Sequence, residues 1–319
     1  MPECKYGLIG CVPTRAGIDW HGGKIVRRSR LRNPLSTLHP LAFFALGALV
    51  ITLAWFLVAH RRHRMWREAL MRQRPSSETL ALLERNVPVY RRLPEGLRER
   101  LHGYLQVFLA EKNFEACGTL RLVTEEMRVT IAGFACLLLL GGRNGSYADL
   151  HSILVYEEDF VPVRHSRWGP EEDGYFEPEE EDEALLGESW NTGSVILSWA
   201  SVLKGTRGEG DGVNVVLHEF AHQLDQGNGD VDGAPELADA ARQGRWARIM
   251  ERAYDRHVSR TRKGWHTVLD PYGATDPGEF FAVATEAFFE KPRAMRRENA
   301  ALYGELQDFY GVDPAEWEA

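Results

Sequence analysis

The sequence has few cysteines, and none of them forms a pair at metal-binding or redox spacing. Cys4, Cys11, Cys117 and Cys136 are the four cysteines in 319 residues, and no C-x-x-C pair occurs. Neither a zinc ribbon nor a thioredoxin-like redox site is therefore supported. Cysteines outside the N-terminal region are too few for a disulfide framework, which favours a reducing compartment. Cys136 lies in an apolar run and is expected to be buried.

The sequence also lacks a dominant basic stripe and any internal repeat. Its formal net charge is −8, so direct binding to nucleic acid is not expected. No self-similarity occurs at periods of about 20–50 residues, which argues against a repeat architecture. Apolar residues make up 44% of the chain and charged residues 26%, which is ordinary for a globular protein with a core.

One long hydrophobic run is present near the N-terminus. Leu41 to Ala59 contains no charged residue. At a rise of about 1.5 Å per residue, the run is long enough to cross the hydrocarbon core of a membrane. A buried core helix would show polar positions, and a cleaved signal peptide would be followed by small residues rather than by Arg61 and Arg62. We therefore predict a transmembrane helix over 39–60, preceded by a disordered tail over 1–38.

Arginines flank this run on both sides. The flanking arginines are Arg27, Arg28, Arg30 and Arg32 before the run, and Arg61, Arg62, Arg64, Arg67, Arg72 and Arg74 after it. Because the more basic flank tends to stay in the cytoplasm, the pattern predicts a membrane-anchored protein whose catalytic part is cytoplasmic. If translation starts downstream of the run, the protein would be cytoplasmic without an anchor.

The rest of the chain, 61–319, is predicted to be an α+β domain with a helical part at about 76–145 and a catalytic part at about 146–319. Within Pro94–Lys112, apolar residues recur at the spacing of one helical face. Ser152–Tyr156 and Ser194–Trp199 are typical of strands, so we expect a small mixed sheet. The acidic segment 170–188 is expected to be a solvated loop, with substrate gating or cation attraction as the alternative.

The chemistry is concentrated in the segment VNVVLHEFAHQLD at 213–225, which contains an H-E-x-x-H motif at His218, Glu219 and His222. Side chains four residues apart lie on one face of a helix, so both imidazoles can bind one zinc ion at about 2.0–2.1 Å. Glu219 is turned from that line and is placed to accept a proton from water at the metal. Chance is the alternative, but burying three polar side chains in so apolar a helix would be costly without such a purpose.

A catalytic zinc ion needs a third protein ligand. The metzincin spacing does not fit, because Asp225 and Asn228 occupy the positions of its glycine and last histidine. The candidates are Glu279 and Glu286, which lie seven residues apart on one helical face, and more weakly His266. Spacing alone leaves the choice between the two glutamates open.

Two acidic residues near the motifs have competing interpretations. Asp276, Pro277 and Glu279 occupy plausible N-cap, N1 and N3 positions, so a capping box is an alternative role for Glu279. Asp225 lies one turn beyond His222 and is predicted to support a histidine N–H rather than to bind metal. Helix capping or solvent exposure is the alternative for Asp225.

The two helical motifs together resemble the zinc-peptidase family typified by Mlc titration factor A. The resemblance rests on LHEFAHQLDQGNGD at 217–230, YGATDPGEFFAVATEAFF at 272–289 and SVILSW at 194–199, and it extends more weakly back to about residue 80. It implies a zincin-like metallopeptidase domain, in which two zinc-bearing helices pack below the small sheet. It does not cover residues 1–64, so a membrane anchor departs from the soluble type member.

The resemblance implies that His218, His222 and Glu279 bind Zn²⁺ and that Glu219 is the catalytic base. It also singles out Tyr272, seven residues before Glu279, a spacing similar to that of toxin metallopeptidases resembling anthrax lethal factor. There a tyrosine hydroxyl helps to stabilise the oxyanion. A packed loop tyrosine is the alternative for Tyr272. Glu286 then becomes a supporting or packing residue.

The motifs and the resemblance predict a zinc-dependent metallopeptidase acting on a peptide or protein substrate, with aminopeptidase action as one form. The strand SVILSW is expected to pair with an extended substrate, or else to be an interior strand. The resemblance also permits a regulatory role, in which the protein sequesters a transcriptional repressor with or without hydrolysis. A membrane-tethered zinc module without activity is a weaker alternative, because the whole catalytic set is present.

Overall fold

The structure is a computed structural model that describes residues 40–142, 147–158, 193–207, 212–228, 231–237 and 239–317. The predicted tail over 1–38 and the acidic segment 170–188 lie outside these residues. The chain divides into one unit over Met1–Arg61 and a second over Arg62–Ala319. The candidate site lies wholly within the second unit.

The N-terminal apolar run forms the greater part of helix α1, Pro40–Met71. By length and composition, the stretch Ala42–Met71 is able to cross a membrane, and none of its most apolar window is buried in the protein. Large apolar side chains such as Phe44 and Trp55 are exposed along it. The helix therefore has the length and the surface expected of the anchor predicted over 39–60, and it continues beyond that range.

Four helices lie on either side of the first strand in the chain order of the second unit. They are α2 Ser77–Asn86, α3 Pro88–Arg92, α4 Glu95–Glu111 and α5 Glu125–Leu137. Ser76 begins α2 by accepting a hydrogen bond from the Thr79 backbone N–H at 3.1 Å, and Thr124 begins α5 similarly through Met127 at 3.3 Å. The apolar face predicted within 94–112 belongs to α4 and packs into the core.

The described strands form a parallel sheet in the order β1, β2, β3. They are β1 Asn113–Ala116, β2 Ser152–Tyr156 and β3 Ser194–Ser198. The prediction of a mixed sheet is wrong for these strands, because the chain passes through α5 between β1 and β2 and returns to the same end of the sheet. The predicted strands correspond to β2 and β3, but sequence patterning missed β1, in which Phe114 is the one large apolar residue.

The C-terminal part of the chain is helical and carries the candidate site. Its helices are α6 Trp199–Thr206, α7 Val215–Asp225, α8 Ala240–Arg262, α9 Pro277–Glu290, α10 Pro292–Glu298 and α11 Ala300–Tyr310. Short 3₁₀ turns lie at Gln226–Asn228, Pro271–Ala274 and Pro314–Glu316. Helices α7 and α9 pack against each other. Fully buried aromatic side chains such as Phe220, Phe281 and Phe288 fill the core around them, and this packing fixes the relative position of the two predicted zinc-binding motifs.

Candidate metal centre

Helix α7 presents both histidines of the H-E-x-x-H motif at one side. The helix begins at Asn214, whose side-chain oxygen accepts a hydrogen bond from the Leu217 backbone N–H at 3.2 Å. Phe220 turns into the core, where its ring lies 4.9 Å from that of Tyr147. His218 and His222 lie one turn apart, with their Nε2 atoms 3.2 Å from each other. The buried face thus fixes the helix rotation that brings the two imidazole nitrogens together.

Glu279 completes a triangle of potential ligand atoms. Its Oε2 atom lies 2.9 Å from His218 Nε2 and 3.5 Å from His222 Nε2. A tetrahedral zinc ion with bonds of about 2.05 Å holds its ligand atoms about 3.3 Å apart. Among the residues that the structure describes, these three form a cluster of side chains able to hold a metal ion. Two imidazoles and one carboxylate therefore fit a catalytic zinc site in both donor chemistry and spacing.

Only one half of the capping box predicted for Glu279 forms, namely the hydrogen bond from its backbone N–H. Asp276 accepts a hydrogen bond from the backbone N–H of Glu279 at 2.9 Å and so begins α9. The carboxylate of Glu279, however, is 3% exposed and points to the histidines. Helix capping thus uses the main chain of Glu279 and leaves its side chain available to a metal.

The other two candidates for the third ligand lie elsewhere. Glu286 is two helical turns beyond Glu279, and its Oε1 atom lies 2.8 Å from His218 Nδ1, on the opposite side of the ring from the cluster. Its other oxygen accepts a hydrogen bond from the backbone N–H of Asn214. His266 is exposed in the loop after α8 and does not belong to the cluster. Glu286 is placed to orient His218 rather than to bind the ion.

Burial and hydrogen bonding shift the pKa values of His218, Glu279 and Glu286 in opposite directions. Burial would lower the pKa of His218, but hydrogen bonds with Glu279 and Glu286 outweigh it and raise the pKa well above its ordinary value. Burial would raise the pKa of Glu279, yet its bonds with His218 and His222 hold that pKa below the usual range. For Glu286, burial prevails and the pKa is raised, although His218 opposes it. Because a metal ion binds only the deprotonated nitrogen, metal binding at His218 competes with protonation.

Glu219 and Tyr272 border the cluster. Glu219 lies on α7 beside His218, and both residues are partly exposed, whereas His222 and Glu279 are buried. Tyr272 belongs to the turn Pro271–Ala274, and its ring centre lies 6.0 Å from that of His218. The structure thus places a carboxylate and a phenol ring near His218, one of the three potential ligands.

Asp225, at the end of α7, is buried and hydrogen-bonded to a loop. It is 0% exposed, so the solvent-exposed alternative is wrong. Its Oδ2 atom accepts a hydrogen bond from the backbone N–H of Gly233 at 2.6 Å. Burial raises the pKa of Asp225 to about 7, although hydrogen bonds from backbone groups such as Gly233 oppose the shift. Asp225 therefore fixes the loop that follows α7.

Sequence reasoning did not identify Asn214 as part of the site. Its side chain caps α7. Its backbone N–H donates a hydrogen bond to Glu286, and the other carboxylate oxygen of Glu286 is hydrogen-bonded to His218 Nδ1. An asparagine directly before an apolar helix does signal an N-cap. Its contact with Glu286 depends on how α7 packs against α9, and that information is absent from residue spacing.

Comparisons with known proteins point to a metallopeptidase family. The sequence model of the glucose-regulated metallo-peptidase M90 family matches residues 59–311. A protein of Synechocystis sp. described as uncharacterized protein slr2042 is 39% identical over 251 residues, covering 78% of this chain and 89% of that protein. Mlc titration factor A of Salmonella agona is 29% identical over 235 residues, covering 72% of this chain and 84% of that protein. Mlc titration factor A of Klebsiella pneumoniae strain 342 is 29% identical over 230 residues, with the same coverages.

Proposed function

The chain belongs to the glucose-regulated metallo-peptidase M90 family, and from this premise we propose that it is a zinc-dependent peptidase with Glu219 as general base. The observation that carries the proposal is the convergence of His218 Nε2, His222 Nε2 and Glu279 Oε2 at one point. These three residues would hold the zinc ion. When bound, zinc supplies Lewis acidity, which polarises a carbonyl group and lowers the pKa of water towards neutrality.

The other residues of the site have roles that follow from their chemistry. Glu219 accepts the proton of the attacking water on its carboxylate and delivers it to the leaving amine. Tyr272 donates its hydroxyl proton in a hydrogen bond to the substrate oxygen that gains negative charge. Glu286 keeps the His218 imidazole in one orientation by accepting a hydrogen bond from Nδ1.

Strand β3 is the proposed platform for an extended substrate. Among the described strands it pairs with β2 alone, and a substrate segment is able to add to such an edge through main-chain hydrogen bonds. Because backbone pairing is largely independent of side chains, aminopeptidase and endopeptidase action both fit this mode. Aminopeptidase action, the removal of residues from a free N-terminus, is one form of the proposed activity.

A regulatory binding role is the second candidate, and the names of two relatives favour it. Mlc titration factor A proteins cover most of this chain, and their name refers to titration of Mlc. As the alternative, we propose that this chain captures a transcriptional repressor, with or without hydrolysis. Helix α1 would in that case hold the complex at the membrane, with the catalytic part on the cytoplasmic side.

Hydrolysis of a peptide mixture by the full zinc-loaded chain tests the proposal. We expect Glu219→Gln to lower the turnover number by at least about 100-fold, the lower part of the range for loss of general base catalysis, while zinc content stays unchanged. Glu251→Gln is the matched control, since it makes the same chemical change at an exposed position of α8. Equal activity of Glu219→Gln and the wild type would contradict the proposed base. Repressor binding that survives Glu219→Gln would assign that role separately from catalysis.

A further inference from the structure

The turn that carries Tyr272 is packed tightly between α8 and α9. Asp270 begins the turn, because its Oδ1 atom accepts a hydrogen bond from the Tyr272 backbone N–H at 2.8 Å. The carbonyl oxygen of Asp270 accepts another from the Gly273 backbone N–H at 3.1 Å. A Cβ atom at Gly273 would lie 3.2 Å from Val283. Whatever holds the Asp270 main chain therefore also sets the position of the Tyr272 ring.

His257 of α8 holds that main chain. Its side chain is 3% exposed, and its Nε2 atom lies 3.0 Å from the carbonyl oxygen of Asp270. Because a carbonyl oxygen only accepts, Nε2 must carry the proton and donate it. The His257 ring also packs against the ring of Phe280, with centres 5.8 Å apart. Phe280 is the neighbour of Glu279, so His257 lies between the turn and the helix that supplies the third ligand.

The second ring nitrogen of His257 makes no hydrogen bond to the described residues. This atom, Nδ1, is buried. Burial lowers the pKa of His257, although the Asp270 carbonyl opposes the shift, and the neutral ring keeps its proton on Nε2. A buried polar atom without a partner is unfavourable, and an aromatic hydrocarbon ring would avoid that cost. The hydrogen bond to Asp270 is therefore the contact that distinguishes histidine from phenylalanine at this position.

We propose that His257 is a positioning residue, which acts through Asp270 to hold the turn so that the Tyr272 hydroxyl faces the metal site. The inference rests on the proposed function, since it assumes that Tyr272 donates to the substrate oxygen. His257 does not touch the ligand cluster, and its role is to restrict the position of a group that does.

Kinetics of the full zinc-loaded chain give the first test. His257→Phe keeps the ring that packs on Phe280 but removes the donor, and we expect the turnover number to fall about tenfold, with nearly unchanged KM and zinc content, because a small misplacement of a reacting group is costly. His257→Gln restores a donor at a similar reach and should recover most of the activity. Arg256→Gln is the control from the same helix, because Arg256 is exposed on α8.

A double-mutant cycle separates positioning from general destabilisation. In a Tyr272→Phe background there is no hydroxyl left to position, so His257→Phe should cause no further loss. An equal fold-loss in both backgrounds, or loss of zinc from His257→Phe, would overturn the inference. A loss of activity in Arg256→Gln equal to that in His257→Phe would overturn it as well.

Hydrogen–deuterium exchange of the zinc-free protein supplies a readout that does not depend on catalysis. We expect His257→Phe to accelerate exchange at the amides of Tyr272 and Gly273, while the amides within α9 keep their wild-type rates. If the wild type hydrolyses no peptide and the exchange of the turn still accelerates, the proposed function fails while the contact of His257 with the turn stands. Unchanged exchange at the turn would overturn the inference whatever the activity.

Discussion

Two glutamates of α9 act on opposite nitrogens of the same imidazole. Glu279 faces His218 Nε2 at 2.9 Å, whereas Glu286 faces His218 Nδ1 at 2.8 Å. A carboxylate at Nδ1 accepts the proton of that nitrogen and leaves the lone pair of Nε2 for a metal ion. At the scale of residues, we therefore propose that the ring nitrogen each carboxylate reaches decides between the role of ligand and the role of supporting group.

Replacing Glu286 by glutamine should weaken zinc binding without removing a ligand. The amide retains an acceptor for His218 but loses the negative charge, so we expect affinity for zinc to fall by about 10–100-fold. Competition against a chromophoric chelator measures the change. Glu290→Gln is the matched control on the same helix, since its carboxylate accepts from the Asn214 side chain instead. Equal affinities for the two variants would contradict the role given to Glu286.

The two motifs show which site residues can be predicted from their spacing in the sequence. The i, i+4 pair His218 and His222 is set by helix geometry, so the convergence of their nitrogens is predictable from the sequence alone. The choice between Glu279 and Glu286 is different, because both lie on one face of α9 and only the offset of α7 along α9 decides which carboxylate reaches Nε2. The family resemblance indicated Glu279, whereas periodicity left the question open.

At the scale of elements, Gly233 contacts residues of α7, α8 and α9, the three helices around the site. Its backbone N–H donates to Asp225 at the end of α7, and its carbonyl accepts from Trp246 Nε1 of α8 at 2.9 Å. Its φ of 75° lies in the left-handed region, which favours glycine. A Cβ atom here would clash with the carbonyl oxygen of Pro277 at the start of α9. Gly233 thereby lies directly against the first residue of α9, the helix that carries Glu279.

Gly233→Ala should therefore destabilise the fold. Backbone strain and the clash with Pro277 act together, so we expect the free energy of unfolding to fall by about 2–3 kcal/mol, the upper part of the usual range for one substitution. Denaturant titration of the zinc-free protein measures it. Gly227→Ala in the preceding turn is the control, because a Cβ atom there has nothing within 4 Å. Similar losses in both variants would show that the close approach to Pro277 is unimportant.

The sheet shows where prediction of elements fails. Strands β2 and β3 alternate buried and partly buried residues, and that pattern is visible in the sequence. Strand β1 is mostly exposed, so it carries no such pattern and forms because β2 offers it main-chain hydrogen bonds. The parallel direction of β1 and β2 depends on the intervening helix α5, which residue alternation does not encode.

At the scale of the whole molecule, the exposed apolar surface of α1 predicts membrane attachment. The full chain should remain in the membrane fraction after alkaline carbonate extraction. Leu49→Arg with Leu53→Arg places two charges in the apolar run, each costing about 2.5–3.5 kcal/mol at the centre of a membrane span, and should release the protein. This double variant retains the arginines after the run, so release by salt alone would show peripheral binding through those charges. Retention of the variant after carbonate extraction would contradict a spanning helix.

The zinc content of the full chain and of Glu279→Ala is the most direct test of the metal centre. The account predicts about one zinc ion per wild-type chain, as a three-ligand catalytic site requires, and loss of most of it from Glu279→Ala even though Glu286 is intact. Metal analysis after gel filtration gives both values. Wild-type zinc content in Glu279→Ala would contradict the account, because His218 and His222 would then have to share the ion with a different third ligand.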